Sequence, residues 1–575
     1  MNWMKYVKPY LPFFIIGPLC MIVEVIGEVV MPRLMAIVIN RAEDGTLTNG
    51  ESLWVMAAMV GVALVMMAGG IGGAYFATKA SVGFAADLRA DVFARIQAFS
   101  FANIDRFSTG SLVTRLTNDI TQLQNFIAML LRMALRAPGM MIAALIMAIA
   151  LQPTLSVVFA VTMPMMLITI FIIISVGFPR FTAMQTKIDK LNTTVQEDVT
   201  NIRVIKSFVR EDHEIVRFHE ANQDLKDTGL SAMRLMILLQ PIMSLFMYGT
   251  ILAVVLLGGR IVLDGGMQVG DLSSFIQYVG QILGSLVMVT FLLMTSSRAL
   301  ASARRIKEVA VEPLDLTDEH AACPDLDVER GEIEFKNVSF RYYKNSPDSV
   351  LHGIDLKIPA GSTVGIIGST GSGKTTLVSL IPRLYDCDEG QVLVDGVDVR
   401  DYSLVRLRDG VGMVLQNNTL FSGSIADNLR WGDEGASDAA LADAARYAAA
   451  DRFIEGLTAK SEIKIEQGGS NVSGGQKQRL CIARALLKKP KILILDDSTS
   501  AVDTATEALI RASFREKLPD TTKLIIAQRI SSVRDADMIV VMGDGAVTGI
   551  GTHEELLASN EEYREIYSSQ MGKEA

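Results

Sequence analysis

Stretches without charged residues dominate the first 300 residues of this 575-residue chain. The longest of them, residues 137–179, contains no Asp, Glu, Lys or Arg over 43 positions. A helix of that length is too long for one crossing of a ~30 Å hydrocarbon core. Gln152, Pro153 and Thr154 form a turn signal inside it, so the run predicts two membrane spans joined as a hairpin.

The same argument predicts a transmembrane domain at residues 1–310. Its six spans are expected at about residues 11–40, 52–78, 137–151, 154–179, 235–259 and 272–297. The two long segments between spans two and three and between spans four and five are rich in Lys and Arg. They predict long cytoplasmic helical extensions, with the N-terminus and the C-terminal part of the chain on the same side.

The second part of the chain has a different composition. Residues 311–330 are acidic and contain two prolines, which predicts a linker. Residues 331–575 have the composition of a soluble α/β domain. We therefore expect a multidomain membrane protein, in which a six-helix α-helical transmembrane domain is followed by an α/β P-loop domain.

Charge, cysteine content and the first residues argue against a nucleic-acid-binding protein, a disulfide-rich or metal-binding protein, and a cleaved signal peptide. The net charge of −9 gives no basic character that would favour nucleic acid as a partner. The four cysteines are scattered along the chain, so neither a disulfide framework nor a metal site is predicted. The first residues lack the pattern of a cleaved signal peptide and indicate an interfacial segment that leads into span one.

A phosphate-binding motif, GSTGSGKT, occupies residues 368–375 after a predicted strand at 363–367. Its glycines allow backbone N–H groups to turn toward phosphate oxygens, and the following helix adds a partial positive charge. Lys374 is expected to contact the β- and γ-phosphates, and the Thr375 hydroxyl to bind Mg²⁺. The residues predicted to hold the nucleotide here are Gly368, Ser369, Thr370, Gly371, Ser372, Gly373, Lys374, Thr375 and Thr376.

Two later segments complete the predicted site. An apolar strand in KILILDD brings Asp496 to its carboxyl end, where it would hold Mg²⁺. The SGGQ turn opens a helix whose N–H groups suit a γ-phosphate, and it contributes Ser473, Gly474, Gly475 and Gln476. Tyr342 follows an alternating strand and offers a ring on which a purine base could stack.

In this order, Tyr342, GSTGSGKT, Gln416 in VLQNN, SGGQ, ILILDD, SAVD and Gln528 in IAQR resemble an ATP-binding cassette (ABC) domain. With six preceding spans, the chain resembles an exporter half-transporter of the multidrug and lipid-flippase type. The resemblance implies ATP and Mg²⁺ as cofactors, base stacking on Tyr342 and a metal contact from Gln416. It also implies a second half-transporter, because two such domains enclose two ATP molecules between them. The turns at 107–116 and 199–208 correspond to coupling helices.

Three positions depart from the family pattern. Asp497 stands where the catalytic glutamate is expected, Gln528 where the switch histidine is expected, and Gln467 where a further glutamate is usual. This pattern resembles the degenerate subunit of heterodimeric bacterial exporters. We therefore expect a slow ATP site in this chain, and a partner that carries Glu and His at the catalytic positions.

Several alternatives remain open at this level. The cargo could be a lipophilic or amphipathic drug exported across the plasma membrane, or a lipid or peptide moved by a homodimer. The chain could also be a regulatory nucleotide-binding subunit. Glu24 and Glu28 share one face of span one and could bind a cation or form a structural pair. Arg132 and Arg136 are expected to anchor span three at lipid headgroups.

Overall fold

The computed structural model describes residues 1–343, 348–455, 463–497 and 502–571. The chain divides into two compact units. The first comprises Met1–Ile96 and Gly110–Val311, and the second comprises Gln97–Thr109 and Glu312–Ala575. The second unit therefore includes a short piece of the N-terminal half.

Helices account for nearly all of the first 311 residues. They are α1 (Met4–Val7), α2 (Leu11–Glu43), α3 (Asn49–Gln97), α4 (Phe101–Arg106), α5 (Thr109–Thr114), α6 (Ile120–Met133), α7 (Arg136–Leu151), α8 (Pro153–Thr200), α9 (Ile202–Ser207), α10 (Glu211–Leu263) and α11 (Val269–Val311). A π-helical segment, Arg115–Asp119, joins α5 to α6.

Within the described residues, six helical stretches are long and apolar enough to cross a membrane. They are Met4–Glu43, Asn49–Gln97, Thr109–Leu151, Pro153–Thr200, Glu211–Leu263 and Val269–Val311. Each contains one of the six predicted spans and continues beyond it. Many of their apolar side chains are exposed to the surroundings, as expected of helices whose outer faces contact lipid rather than water.

Two charged clusters hold helices of the first unit together. Arg136 contacts both Glu28 (2.6 Å) and Glu24 (3.3 Å), so an ion pair joins α7 to α2. The sequence did not predict this pairing, and the role of Arg136 as a headgroup anchor stays a prediction. In the second cluster, the buried Asp119 accepts hydrogen bonds from Ser302 and Arg305 of α11.

The first cytoplasmic turn lies earlier than the predicted 107–116. Helix α3 ends at Gln97, α4 makes a separate short helix, and the chain is helical again from Thr109. Ser100 caps α4 with a capping box. Its hydroxyl accepts a hydrogen bond from the backbone N–H of Asn103, and Oδ1 of Asn103 accepts one from the backbone N–H of Ser100. The second short helix, α9, falls within the predicted 199–208.

The second unit contains two main sheets. Its strands are β1 (Ile333–Phe340), β2 (Leu351–Ile358), β3 (Thr363–Gly368), β4 (Glu389–Val394), β5 (Val397–Asp398), β6 (Val411–Val414), β7 (Gly423–Ser424), β8 (Lys464–Ile465), β9 (Ile492–Asp496), β10 (Thr522–Ile526), β11 (Met538–Gly543) and β12 (Ala546–Gly551). The larger sheet has the order β12-β11-β3-β10-β9-β6, and the smaller has the order β2-β1-β4-β5.

The larger sheet is parallel from β11 to β6, with its interior strands almost wholly buried. Such strands are continuous apolar runs because helices cover both faces. The helices are α12 (Lys374–Ser379), α13 (Leu404–Gly410), α14 (Ile425–Arg430), α15 (Asp438–Tyr447), α16 (Asp451–Glu455), α17 (Gly474–Leu487), α18 (Thr504–Lys517), α19 (Ile530–Val533), α20 (His553–Ser559) and α21 (Glu561–Met571). The carboxyl ends of β3, β9 and β10 therefore meet at one edge, where such sheets bind ligands.

Candidate nucleotide-binding site

The phosphate-binding loop lies between the central strand β3 and helix α12. Gly371 (φ 87°) and Gly373 (φ 92°) adopt left-handed backbone conformations that other residues rarely occupy. A Cβ at Gly373 would approach the Leu351 side chain to 2.8 Å. The local sequence therefore allows the chain to turn sharply into α12, whose N-terminal N–H groups are available for an anion.

Lys374 holds this loop in shape. Its Nζ donates to the carbonyl oxygens of Gly368 (2.9 Å) and Ser369 (2.6 Å) and to the Ser372 hydroxyl (3.2 Å). Burial lowers the pKa of Lys374, and nearby carboxylates, Asp496 first, oppose that shift. A lysine surrounded by loop oxygens in this way is positioned to exchange them for phosphate oxygens.

Thr375 and Asp496 form a pair of hard oxygen ligands. The Thr375 hydroxyl donates to Oδ1 of Asp496 over 2.9 Å. Oδ2 of Asp496 is buried and, among the described residues, has no hydrogen-bond partner. Burial raises the pKa of this carboxyl, while the Thr375 hydrogen bond opposes the shift. A buried, unsatisfied carboxylate oxygen next to a hydroxyl fits Mg²⁺, which prefers oxygen ligands.

Asp497 lies beside this pair in a strained backbone conformation, with φ of 47°. Oδ2 of Asp497 accepts a hydrogen bond from Nε2 of Gln528 over 2.7 Å. Burial raises the pKa of Asp497, and hydrogen bonds from Gln528 and Gln416 act in the opposite direction. The structure thus brings together Asp497, Gln528 and Gln416, which the sequence placed at separate motifs.

Strand register explains this convergence. β9 and β10 pair in parallel with Asp496 opposite Ile526, so the residues that follow each strand lie at the same edge. The backbone N–H of Asp497 donates to the Ile526 carbonyl over 3.1 Å. Gln528, two residues past the end of β10, is therefore within reach of the Asp497 side chain.

Tyr342 is partly exposed, and its hydroxyl is 2.9 Å from that of Thr376 at the start of α12. The ring lies edge to face against Phe340 and Tyr385. The predicted base-stacking aromatic therefore lies next to the phosphate-binding helix.

The SGGQ residues Ser473 to Gln476, here called the signature loop, form the start of α17. The Ser473 hydroxyl accepts from the backbone N–H of Gln476, and the Gln476 side chain accepts from the N–H of Ser473. This capping box leaves Gly474 and Gly475 in the first helical turn. None of the hydrogen bonds described for these residues reaches the phosphate-binding loop of the same chain.

One residue near the site was missed by the motif analysis. Gln478 of α17 is buried, and its Nε2 lies 3.4 Å from the carbonyl oxygen of Asp497. Its Oε1 is buried without a partner among the described residues. No sequence signal separates Gln478 from its polar neighbours in the first turns of the helix, because its orientation depends on how α17 packs in the folded domain. Ser500 and Ala501, the first two residues of the SAVD motif, lie outside the described residues.

Comparison with known proteins matches both units. Residues 14–286 match the family model of the ABC transporter transmembrane region, and residues 351–500 match that of the ABC transporter. The Bacillus subtilis (strain 168) ABC transporter ATP-binding protein YfiB is 38% identical over 573 residues, which cover 99% of this chain and 98% of that protein.

Two further relatives extend this comparison. A fatty acid ABC transporter ATP-binding/permease protein of Mycobacterium tuberculosis (strain CDC 1551 / Oshkosh) is 36% identical over 479 residues, covering 83% of this chain and 75% of that protein. The solved structure of a bacterial Atm1-family ABC exporter with ATP bound has a TM-score of 0.78 at 25% identity, and covers 99% of this chain and 98% of that one.

Six apolar helices followed by a P-loop domain define an ATP-dependent membrane transporter. The chain belongs to the ABC transporter family and is an exporter half-transporter. It is a multi-pass membrane protein with a cytoplasmic nucleotide-binding domain. The predicted fold class and membrane location are confirmed.

Proposed function

We propose that this chain is one subunit of a heterodimeric exporter, that its own ATP site hydrolyses slowly, and that its signature loop completes the active site of a different partner. The observation that carries the proposal is the hydrogen bond from Gln528 to Asp497. This bond joins two positions that depart from the family pattern, Asp497 in place of glutamate and Gln528 in place of histidine. It lies where the attacking water would be activated.

The side chains at these two positions favour slow hydrolysis. Asp497 is one methylene shorter than glutamate, and a base misplaced by about 1 Å loses on the order of 100-fold in rate. The amide donors also oppose the rise in the pKa of Asp497 that burial causes, so they limit the gain in basicity that burial would otherwise give this carboxylate. Gln528 carries no charge at any pH and therefore cannot balance charge on the γ-phosphate as a histidine can.

The groups that would bind the phosphates and Mg²⁺ are all present in this chain. Lys374 and the N–H groups at the start of α12 would hold the phosphates, and Thr375, Asp496 and Gln416 would hold Mg²⁺. The metal ion, when bound, supplies positive charge to the β- and γ-phosphate oxygens. A site with intact binding groups and a weak base is suited to retaining ATP.

The signature loop supports the division of labour. Ser473 to Gln476 keep the family motif and a well-formed capping box, although the base of the same chain is altered. In a pair of ABC domains this loop contacts the ATP held by the other subunit. We propose a partner with glutamate and histidine at its catalytic positions, which would perform most of the hydrolysis.

For the cargo we propose lipophilic or amphipathic compounds, including drugs, moved out of the cell. A second candidate is a lipid or fatty acid exported by a homodimer, and the named fatty acid transporter among the relatives favours it. A purely regulatory subunit is a third candidate. It is supported by Asp497 and Gln528 alone, whereas the intact signature loop favours a part in catalysis.

The test compares the full chain purified alone with the full chain co-purified with a half-transporter that carries glutamate and histidine at these positions. Both are reconstituted in lipid nanodiscs. We expect the chain alone to bind Mg–ATP but to hydrolyse it on the order of 100-fold more slowly than the complex. A homodimer of this chain with rapid ATPase activity would contradict the proposal and favour the lipid-exporting homodimer.

A further inference from the structure

A cluster of three aromatic rings lies next to the phosphate-binding helix in the second unit. The ring centroid of Tyr385 is 5.2 Å from that of Tyr342 and 5.5 Å from that of Phe340. The rings of Tyr342 and Tyr385 are nearly perpendicular, at 88°. Edge-to-face contacts of this kind fix ring orientation, and here they support Tyr342 while 39% of it stays exposed.

Tyr385 also contacts helix α4. Its hydroxyl donates to Oδ2 of Asp105 over 3.1 Å, and its ring centroid is 6.0 Å from that of Phe101. Burial, with the charge of Asp105 as a further cause, raises the pKa of Tyr385. The phenol therefore remains protonated at neutral pH and donates to the carboxylate.

Helix α4 is fixed to the same unit from a second direction. Nδ2 of Asn103 donates to the carbonyl of Pro313 over 3.0 Å, and Oδ1 of Asn103 accepts from the backbone N–H of Asp315 over 3.2 Å. Asn103 is buried. The helix is therefore held both by the chain that enters the nucleotide-binding domain and by Tyr385.

On the other side of the cluster, the hydroxyl of Tyr342 is bonded to that of Thr376, the residue after the proposed Mg²⁺ ligand Thr375. Asp105, Tyr385, Tyr342 and Thr376 thus form an unbroken series of contacts from α4 to α12. Asp105 and Tyr385 are 280 positions apart in sequence, so this series exists through the fold alone.

We propose that Tyr385 is a positioning residue, which holds Tyr342 for the nucleotide base and joins that base platform to helix α4. The proposal rests on the proposed function, since it requires that this site bind ATP. Binding of a base on Tyr342 would order the cluster and strengthen the contact with Asp105. Because coupling between two sites is reciprocal, docking of α4 would strengthen base binding by the same factor.

A comparison of ATP with tripolyphosphate separates positioning of Tyr342 from a general structural role of Tyr385. Tripolyphosphate can occupy the phosphate-binding loop, but it has no base to stack on Tyr342. We expect Tyr385→Ala to weaken Mg–ATP binding by about three- to tenfold, the range for one aromatic contact, and to leave Mg–tripolyphosphate binding unchanged. Equal weakening of both ligands, or no weakening of ATP, would overturn the platform role. The measurement is equilibrium binding to the full chain in nanodiscs.

The link to α4 is tested by hydrogen exchange of residues 97–109 in the same preparation. In the wild type, Mg–ATP should slow exchange of this segment more than Mg–tripolyphosphate does. Tyr385→Phe keeps the ring but loses the hydroxyl, so we expect the extra ATP-dependent protection to disappear while ATP affinity changes by less than about threefold. Asp105→Ala should act in the same way, and retained protection in either variant would overturn the link.

Tyr402→Phe is the matched control. Tyr402 is fully buried in the same unit, and its hydroxyl donates to the carbonyl of Val394 over 3.0 Å, away from the cluster. It should reproduce any general loss of stability without changing either readout. If the wild type binds no ATP, the proposed function itself fails. If it binds ATP no better than tripolyphosphate, the inference fails and the proposed function stands.

Discussion

The side-chain amide of Gln528 donates a hydrogen bond to the Asp497 carboxylate over 2.7 Å. The two residues follow adjacent parallel strands, so the fold brings Asp497 and Gln528 to the same place beside the proposed Mg²⁺ ligands. In this arrangement the candidate base is held by a neutral amide instead of a group that can carry positive charge. The pair is therefore the first target for restoring hydrolysis.

Combining Asp497→Glu with Gln528→His should raise hydrolysis at this site by about 10- to 100-fold, because the longer side chain reaches further and histidine can carry charge. The measurement is single-turnover phosphate release from the full complex, with the partner's hydrolytic site inactivated. Lys374→Ala in the same background is the control and should abolish the gain. An unchanged rate in the double variant would show that these positions do not limit hydrolysis.

Asp496→Asn should stabilise the nucleotide-free domain at neutral pH. Burial raises the folded-state pKa of Asp496 above its unfolded value of ~3.9. Its contribution to stability is therefore full below that pH, and is lost as the pH rises through the folded-state value. Asparagine has no charge to bury, so the gain in thermal unfolding temperature should be larger at pH 7 than at pH 4.

The same substitution should remove the stabilisation that Mg–ATP gives the wild type, because the amide is a poor Mg²⁺ ligand. Thermal unfolding with ATP and either Mg²⁺ or EDTA separates the two effects. If Asp496→Asn and the wild type respond equally to Mg²⁺, Asp496 does not hold the metal ion.

Arg136 should matter more to stability than either of its carboxylate partners. Arg136→Gln leaves the partly buried carboxylates of Glu24 and Glu28 without their cation and next to each other, so we expect the thermal stability to fall. Adding Glu24→Gln and Glu28→Gln to Arg136→Gln should recover much of this loss. Thermal stability of the detergent-solubilised protein is the measurement, and a triple variant no better than Arg136→Gln would contradict the pairing.

The same three residues bear on the cation-binding alternative for Glu24 and Glu28. Because both carboxylates are already paired with Arg136, the structural alternative predicts that the double glutamine variant affects export of cationic and neutral compounds equally. A selective loss of cationic compounds would instead support a role for these carboxylates in cargo binding.

Ser473→Ala should lower hydrolysis by the complex while ATP binding at the phosphate loop of this chain changes little. The substitution removes a capping hydroxyl, which is worth about 1 kcal/mol to the start of α17, and alters the motif offered to the partner. Ser424→Ala removes the equivalent capping box at α14 and is the matched control. Equal effects of the two substitutions would mean that Ser473 acts through helix stability alone.

Sequence reasoning was most successful where the signal is local. Lengths of uncharged runs and the order of short motifs depend on neighbouring residues, and they predicted the six spans and the P-loop domain that the structure and the comparisons confirm. It was less successful where helix ends depend on distant packing. The first cytoplasmic turn was placed at 107–116, whereas the separate helix is α4, which is held by Asn103 against Pro313 and Asp315.

Six apolar helices and a phosphate-binding loop could be predicted from the sequence, because hydropathy and backbone conformation depend on a few neighbouring residues. The packing of distant segments, which the sequence does not show, pairs Arg136 with Glu24 and Glu28, Gln528 with Asp497, and Tyr385 with Asp105. Each of these contacts joins residues that are distant in sequence. The side chains meet because packed helices and parallel strand ends bring them within hydrogen-bond distance.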